Sequence, residues 1–110
     1  MTDKIVVLST CASAEEAGRI AQQLVESRLA ACVNILPAIR SVYRWNGAIE
    51  NAEEVLLIVK SSRPLFEELR AEITRLHSYQ TPEVLALPVV DAAEPYLAWL
   101  THELRPAGEE

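Results

Sequence analysis

The chain has 110 residues, half of them hydrophobic, and a formal net charge of −6. The hydrophobic content excludes extensive disorder, and the acidic balance disfavours nucleic-acid binding, which needs a basic face. No apolar stretch approaches the roughly 18 residues of a membrane span, and no signal peptide is evident. We therefore expect one domain over residues 1–110, in the cytoplasm, with its two cysteines reduced.

The first predicted elements are a strand and a helix. Residues 4–10 are apolar and β-branched, which is typical of a buried strand. Ser13 and Glu16 form an S-x-x-E capping box, in which the serine oxygen accepts a helix N–H and the glutamate reaches back. Apolar residues then recur at helical spacing, which predicts a helix that ends near Arg28.

A long hairpin follows. Residues 32–45 predict a second strand, bent or bulged at Pro37 because proline cannot donate to a strand ladder. The pair Asn46-Gly47 is typical of a type I′ turn, in which both central residues need positive φ. A third strand therefore follows the turn and ends with residues 55–60.

The second half predicts a helix, a strand and a final helix. Pro64 is tolerated in the first turn of the second helix, residues 84–90 form a buried fourth strand, and a short helix starts at residues 91–95. The resulting βαββαβ order with an added C-terminal helix is the α+β, ferredoxin-like pattern, with strand order 4-1-3-2.

From this order we expect four residues to cluster at one edge of the sheet. They are Cys11, Cys32, Lys60 and Glu83, with the loop that carries His77 and Tyr79 above them. An ion pair between Lys60 and Glu83 is one expected contact there. The hairpin tip should then lie at the opposite edge.

The hairpin itself predicts self-association. A 14-residue second strand should overhang a domain of this size, because strands usually have about 5–6 residues. Its outer part carries Val42, Tyr43 and Trp45, which would expose an apolar patch and an unpaired strand edge. Pairing with another subunit would cover both.

Three segments of the chain are informative together. They are residues 28–34 (RLAACVN), 41–50 (SVYRWNGAIE) and 77–88 (HSYQTPEVLALP). Their order and spacing resemble those of the CutA family of divalent-cation tolerance proteins. The similarity spans about residues 5–104. It implies a PII-like homotrimer with interlocking hairpins, a link to tolerance of copper and other divalent metals, and no established reaction. The chain departs from the family pattern at Ser9, Leu76 and Ser78.

These residues are consistent with two alternative functions. In the first, His77, Cys11 and Glu83 bind copper or another divalent metal, although no cofactor is obligatory. In the second, a PII-like regulatory trimer binds a small ligand or partner protein in a cleft lined by Lys60, Tyr79 and Trp45.

Simpler roles remain open for the same residues. His77 could bond the end of a helix, Cys11 and Cys32 could be core residues, and Trp45 could pack between subunits. An enzyme with Cys11 as nucleophile and His77 as base is the least favoured alternative, because nothing near Cys11 indicates an oxyanion hole. We expect no enzymatic activity.

Overall fold

The computed structural model describes residues 1–108, which form an antiparallel four-stranded sheet and three α-helices. The strands are β1 (Lys4–Cys11), β2 (Cys32–Trp45), β3 (Ala48–Ser62) and β4 (Leu85–Pro88), and the helices are α1 (Ala14–Glu26), α2 (Phe66–Leu76) and α3 (Glu94–Glu103). The sheet order β2-β3-β1-β4 confirms the ferredoxin-like α+β prediction, including the extra C-terminal helix.

The core lies between one face of the sheet and helices α1 and α2. Alternate residues of β1 and β3 are buried, as expected for strands with one covered face. Val7 and Leu57 are examples from the strands, and Leu24 and Leu69 pack into the same cluster from the helices. One cluster therefore joins the helices to the two central strands.

Helix α1 begins with the predicted cap. The Ser13 hydroxyl accepts the Glu16 N–H at 3.1 Å, and the Glu16 carboxylate reaches back to accept the Ala12 N–H at 3.2 Å. The helix ends at Glu26, and Arg28 then takes a positive φ of 60°. The predicted boundaries and the capping box are confirmed.

The hairpin also follows the prediction. Its pairing register shifts between Leu36 and Ile39, and Ala38 in this bulge has φ 62°. Asn46 and Gly47 both have positive φ, as a type I′ turn requires. Because β2 and β3 stay paired out to the turn, the hairpin extends far beyond β1, and the described chain measures 44 Å in its longest dimension.

The expected clustering of all four residues at one sheet edge is wrong, because they divide into two pairs at opposite edges. Cys11 pairs with Val55, near the middle of β3, whereas Lys60 pairs with Cys32 at the other end of the sheet. The reason is that β1 and β2 run parallel to each other with β3 antiparallel between them, so the end of β1 points toward the hairpin turn. The hairpin tip therefore projects from the same edge as Cys11, and not from the opposite edge.

Lys60 consequently does not pair with Glu83. Its ammonium group donates to the side-chain oxygen of Asn34 and lies 3.7 Å from the Cys32 sulfur. Glu83 precedes β4 and lies near the Cys11 end of β1, since Leu8 pairs with Leu85 in the antiparallel β1–β4 pair.

Strand β4 is shorter and more exposed than predicted. It covers Leu85–Pro88, and all four residues are exposed. We expected a buried strand from its apolar sequence, but β4 occupies the sheet edge with β1 as its only strand partner among the described residues. Its leucines are therefore available for contact with another molecule.

Helix α3 closes the described part of the chain. Leu100 is buried, Leu104 packs against the core, and the Arg105 N–H donates to the Arg28 carbonyl at 3.0 Å. Within residues 1–108, no helix combines the length and apolar character needed to cross a membrane.

Candidate functional site

Two of the three predicted metal ligands come together. Cys11 ends β1, His77 directly follows α2, and Glu16 lies in the first turn of α1. One ligating atom from each of these three side chains lies within 4.8 Å of the other two. A thiol, an imidazole and a carboxylate therefore meet where three elements converge.

The His77 ring is fully buried and bonded at both nitrogens. Nε2 lies 2.8 Å from the Thr10 carbonyl oxygen, and Nδ1 accepts the Tyr79 N–H at 3.1 Å. Because a carbonyl oxygen accepts but cannot donate, the proton is assigned to Nε2. The ring thus ties the loop after α2 to the end of β1.

Glu16 connects the same three segments. Besides Ala12, it accepts the Ser78 N–H at 2.7 Å, and its carboxylate lies 4.0 Å from His77 Nδ1. Burial opposes ionisation of Glu16, but the hydrogen bonds from Ser78 and Ala12 outweigh it and lower the pKa of the carboxyl group. Glu16 is therefore a buried carboxylate held ionised by backbone donors.

Cys11 has the opposite electrostatic character. Burial, followed by the negative charges of Glu16 and Glu54, raises the pKa of the thiol to about 12. The side chain is inaccessible to solvent. At neutral pH, Cys11 is therefore a neutral thiol and a poor nucleophile.

The donor types fit a soft or borderline divalent metal, since copper and zinc accept thiolate, imidazole and carboxylate ligands. The hydrogen bonds, however, already use both His77 nitrogens and both Glu16 oxygens. The three residues fit a metal only if a proton leaves Cys11 and His77 gives up one hydrogen bond.

The third predicted ligand, Glu83, does not join this group, and Glu16 takes its place. The sequence placed Glu16 in a capping box, and no motif indicated a second role. The one available signal was position: a carboxylate in the first turn of a helix lies close to the end of the strand that precedes it.

A cavity of about 570 Å³ lies beside this group, between the outer part of the hairpin and the loop before β4. It contains two predicted cleft residues, Tyr79 and Trp45, together with Glu83. It is lined by Thr10, Ser41, Val42, Tyr43, Trp45, Glu54, Tyr79, Gln80, Thr81 and Glu83.

Half of the ten residues that line the cavity are acidic or aromatic. The Tyr79 hydroxyl donates to the buried Glu54 carboxylate at 2.6 Å, and burial together with this bond raises the pKa of the phenol. Burial and the charge of Glu54 also raise the pKa of Glu83. Sequence reasoning missed Glu54, which lies in an ordinary acidic stretch of β3.

The other predicted cleft residue, Lys60, lies elsewhere. It is absent from this cavity because its position on β3 is at the far end of the sheet, beside Cys32. Within a single subunit, Lys60 cannot share a cleft with Tyr79 and Trp45.

The predicted interface residues are all exposed on the hairpin. Val42 is 65% exposed, Tyr43 43% and Trp45 54%, and Ile49 on β3 is also exposed. Tyr43 and Trp45 therefore have two possible roles, since both also line the cavity.

The model of the CutA1 divalent ion tolerance protein family matches residues 5–103. The chain belongs to the CutA1 family. This CutA1 member is 47% identical over 95 residues to the divalent-cation tolerance protein CutA of Thermus thermophilus, covering 86% of this chain and 92% of that protein. The resemblance stated from the three sequence segments is thereby confirmed.

Solved CutA structures share the fold. The divalent cation tolerance protein (Cut A1) from Thermus thermophilus matches with a TM-score of 0.91 and 44% identity, over 93% of this chain and 99% of that chain. The periplasmic divalent cation tolerance protein CutA from Archaeoglobus fulgidus matches with a TM-score of 0.90 and 41% identity, over 93% and 99% of the two chains. The family is named for divalent-cation tolerance, which is the general function these comparisons support.

Proposed function

We propose that this CutA1 member is a non-catalytic homotrimer that responds to divalent metal ions by binding copper through Cys11 and His77, with Glu16 nearby. The observation that carries the proposal is the approach of these three ligating groups to within 4.8 Å. Their chemistry is suited to copper, which accepts thiolate and imidazole ligands.

The hydrogen bonds around these groups support conditional binding over a permanent cofactor. Cys11 must lose its proton, and His77 must release either the Thr10 carbonyl or the Tyr79 amide, before either side chain can bind an ion. Both costs lower the affinity, so the site is largely empty when the metal is scarce. A protein that binds metal only when the ion is abundant would suit a role in tolerance.

Competition with chromophoric chelators of Cu²⁺ and, under anaerobic conditions, of Cu⁺ tests this proposal. We expect Cys11→Ser and His77→Ala each to weaken binding by at least about tenfold, because each removes a ligand. The chain offers matched controls, since Cys32→Ser and His102→Ala change its other cysteine and its other histidine. Equal copper affinity in all four variants would refute the metal site.

The absence of catalysis is part of the proposal. A buried thiol with a raised pKa and an imidazole bonded at both nitrogens are poorly arranged for a nucleophile and its base. Rapid alkylation of Cys11 by iodoacetamide at pH 7, faster than that of the more exposed Cys32, would argue against this assignment.

We also propose a cytoplasmic location and assembly of one domain into a trimer. The hairpin aromatic residues and the exposed leucines of β4 support assembly, since both are apolar surfaces beside unpaired strand edges. Location must be tested directly, by fractionating cells that express the full-length protein, because the Archaeoglobus fulgidus relative is described as periplasmic.

A second candidate function is a PII-like regulatory trimer that binds a small ligand. The cavity beside the hairpin supports it, because about 570 Å³ lies within the roughly 300–1,000 Å³ typical of small-molecule sites. A thermal-shift screen of metabolites on metal-free protein tests this function, since a ligand of the native state raises the melting temperature. Absence of any shift across cations, anions and neutral compounds would refute it.

A further inference from the structure

We propose that the cavity beside the hairpin binds a small organic cation, an alkylammonium or alkylguanidinium group, between Glu54, Glu83 and the ring of Trp45. The inference rests on the second proposed function, because it names the chemical class of ligand for the same cavity. It does not depend on the copper site.

The buried carboxylate is the first observation. Glu54 lines the cavity although its exposed fraction is only 7%, and a carboxylate this buried usually has a charged partner. Tyr79 donates to one of its oxygens, but within residues 1–108 Glu54 takes part in no ion pair. A cationic ligand would supply the missing positive charge.

The second observation is the composition of the wall. Glu83 brings another carboxylate, and no lysine, arginine or histidine is among the described residues that line the cavity. Burial, and then the charge of Glu54, raise the pKa of Glu83, so the two acids repel each other when both are ionised. A cation placed between them would relieve this repulsion, whereas an anionic ligand would increase it.

The aromatic side chains and the size of the cavity favour an organic cation over a bare metal ion. Trp45 and Tyr43 line the cavity, and aromatic rings attract ammonium and guanidinium groups and also contact alkyl chains. Glu54 and Glu83 are also absent from the metal-ligand group found within residues 1–108. A cavity of about 570 Å³ exceeds the needs of a single ion.

Isothermal titration with compounds of equal chain length tests the proposal. We would compare butylammonium, butylguanidinium and 1,4-diaminobutane with butanoate and butanol, using the full chain at low salt with its native mass verified. We expect the cations to bind and the acid and alcohol not to bind. Binding should weaken as salt is added, because salt screens the attraction between the cation and the exposed Glu83 carboxylate.

Variants then assign the binding to the cavity. Glu83→Gln and Trp45→Leu should each weaken cation binding by about tenfold, as expected for loss of a charged hydrogen bond or a cation–π contact. Glu53→Gln is the matched control, because this exposed acid is adjacent on β3 but does not line the cavity. A melting curve and a native mass for each variant exclude unfolding and subunit dissociation as the cause of lost binding.

Three results would overturn the proposal, and they differ in what else they affect. Binding of butanoate without binding of the amines would refute the cation class but keep the ligand-binding function. Cation binding of equal strength in all variants would show that the binding site lies outside the cavity. Failure of every compound to bind would refute the cation class, whereas the ligand-binding function would still be decided by the thermal-shift screen of metabolites.

Discussion

At the scale of single residues, Glu16 carries more contacts than a helix cap requires. Its carboxylate accepts N–H groups from Ala12 and Ser78, which belong to the segments after β1 and after α2. It therefore connects the N-terminus of α1 to a loop 62 residues away in sequence. The sequence predicted the cap, but it could not reveal the bond to Ser78, because tertiary packing determines which loop approaches a helix end.

We predict that Glu16→Gln lowers the free energy of unfolding at pH 7 by about 1–3 kcal/mol, because a charged acceptor of two backbone N–H groups is lost. Since the pKa of Glu16 is lowered in the folded state, its stabilisation is complete above the unfolded-state pKa of about 4.3 and disappears as the pH falls through the folded value. Urea denaturation between pH 7 and pH 3 measures both effects.

The exposed neighbour Glu15 is the control for this experiment, because it shares the first turn and lies outside the hydrogen-bond network. Glu15→Gln should lower the free energy of unfolding by at most about 0.3–1 kcal/mol, the usual contribution of a charge that interacts with the helix dipole. If the stability difference between Glu16→Gln and the natural chain stayed constant down to pH 3, the role assigned to the ionised carboxylate would be wrong.

Two buried serines on adjacent strands provide a second prediction. The Ser61 hydroxyl donates to the Leu29 carbonyl at 2.7 Å, whereas the Ser9 hydroxyl, equally inaccessible, has no partner within residues 1–108. We expect Ser61→Ala to destabilise the protein by about 1 kcal/mol or more, and Ser9→Ala to be neutral or stabilising. Thermal denaturation of both variants checks the contrast, and an equal loss at both sites would contradict it.

At the scale of elements, the turn between β2 and β3 depends on backbone conformation. Gly47 has φ 80°, which an L-residue adopts only with strain, whereas Gly18 lies inside α1 with nothing within 4 Å of an added Cβ. Gly47→Ala should therefore destabilise the protein by about 1 kcal/mol, and Gly18→Ala should stabilise it by about 0.5–1 kcal/mol. Chemical denaturation of the two variants should give shifts of opposite sign, and shifts of the same sign would contradict the assignment.

The elements also show where sequence patterns suffice. Capping residues, the Asn46-Gly47 turn and the proline at the bulge are local signals, and each located its element correctly. The burial of β4 and the partners of Lys60 were predicted wrongly, because they depend on the direction of neighbouring strands and on what covers a sheet edge. Such information is not present in a local pattern of apolar residues.

At the scale of the whole molecule, the distribution of exposed apolar surface predicts assembly. Leu87 on the edge strand β4 is 50% exposed, and Val25 on α1 is exposed to a similar degree. We expect a native mass of three times 12.2 kDa, and we expect Leu87→Asp to reduce it. Val25→Asp is the control and should leave the mass unchanged, because α1 contributes no strand edge.

Sedimentation equilibrium of the natural chain and both variants measures this effect. A monomeric natural chain at micromolar concentration would refute the trimer. A trimer that survives Leu87→Asp would place the interface away from β4, and Trp45→Asp on the hairpin would then be the next variant to examine.

The bulge in β2 has a further consequence for the chemistry of the cavity. Leu36 pairs with Leu56 and Ile39 with Glu54, so residues three apart in β2 face the same side of the sheet. Beyond this point the odd-numbered residues, including Tyr43 and Trp45, share the face of Glu54. If the side chains alternated regularly after Leu36, that face would instead carry Arg40 and Arg44. One inserted residue thus determines whether Glu54 faces aromatic rings or guanidinium groups, and so sets the sign of charge that this surface can accept.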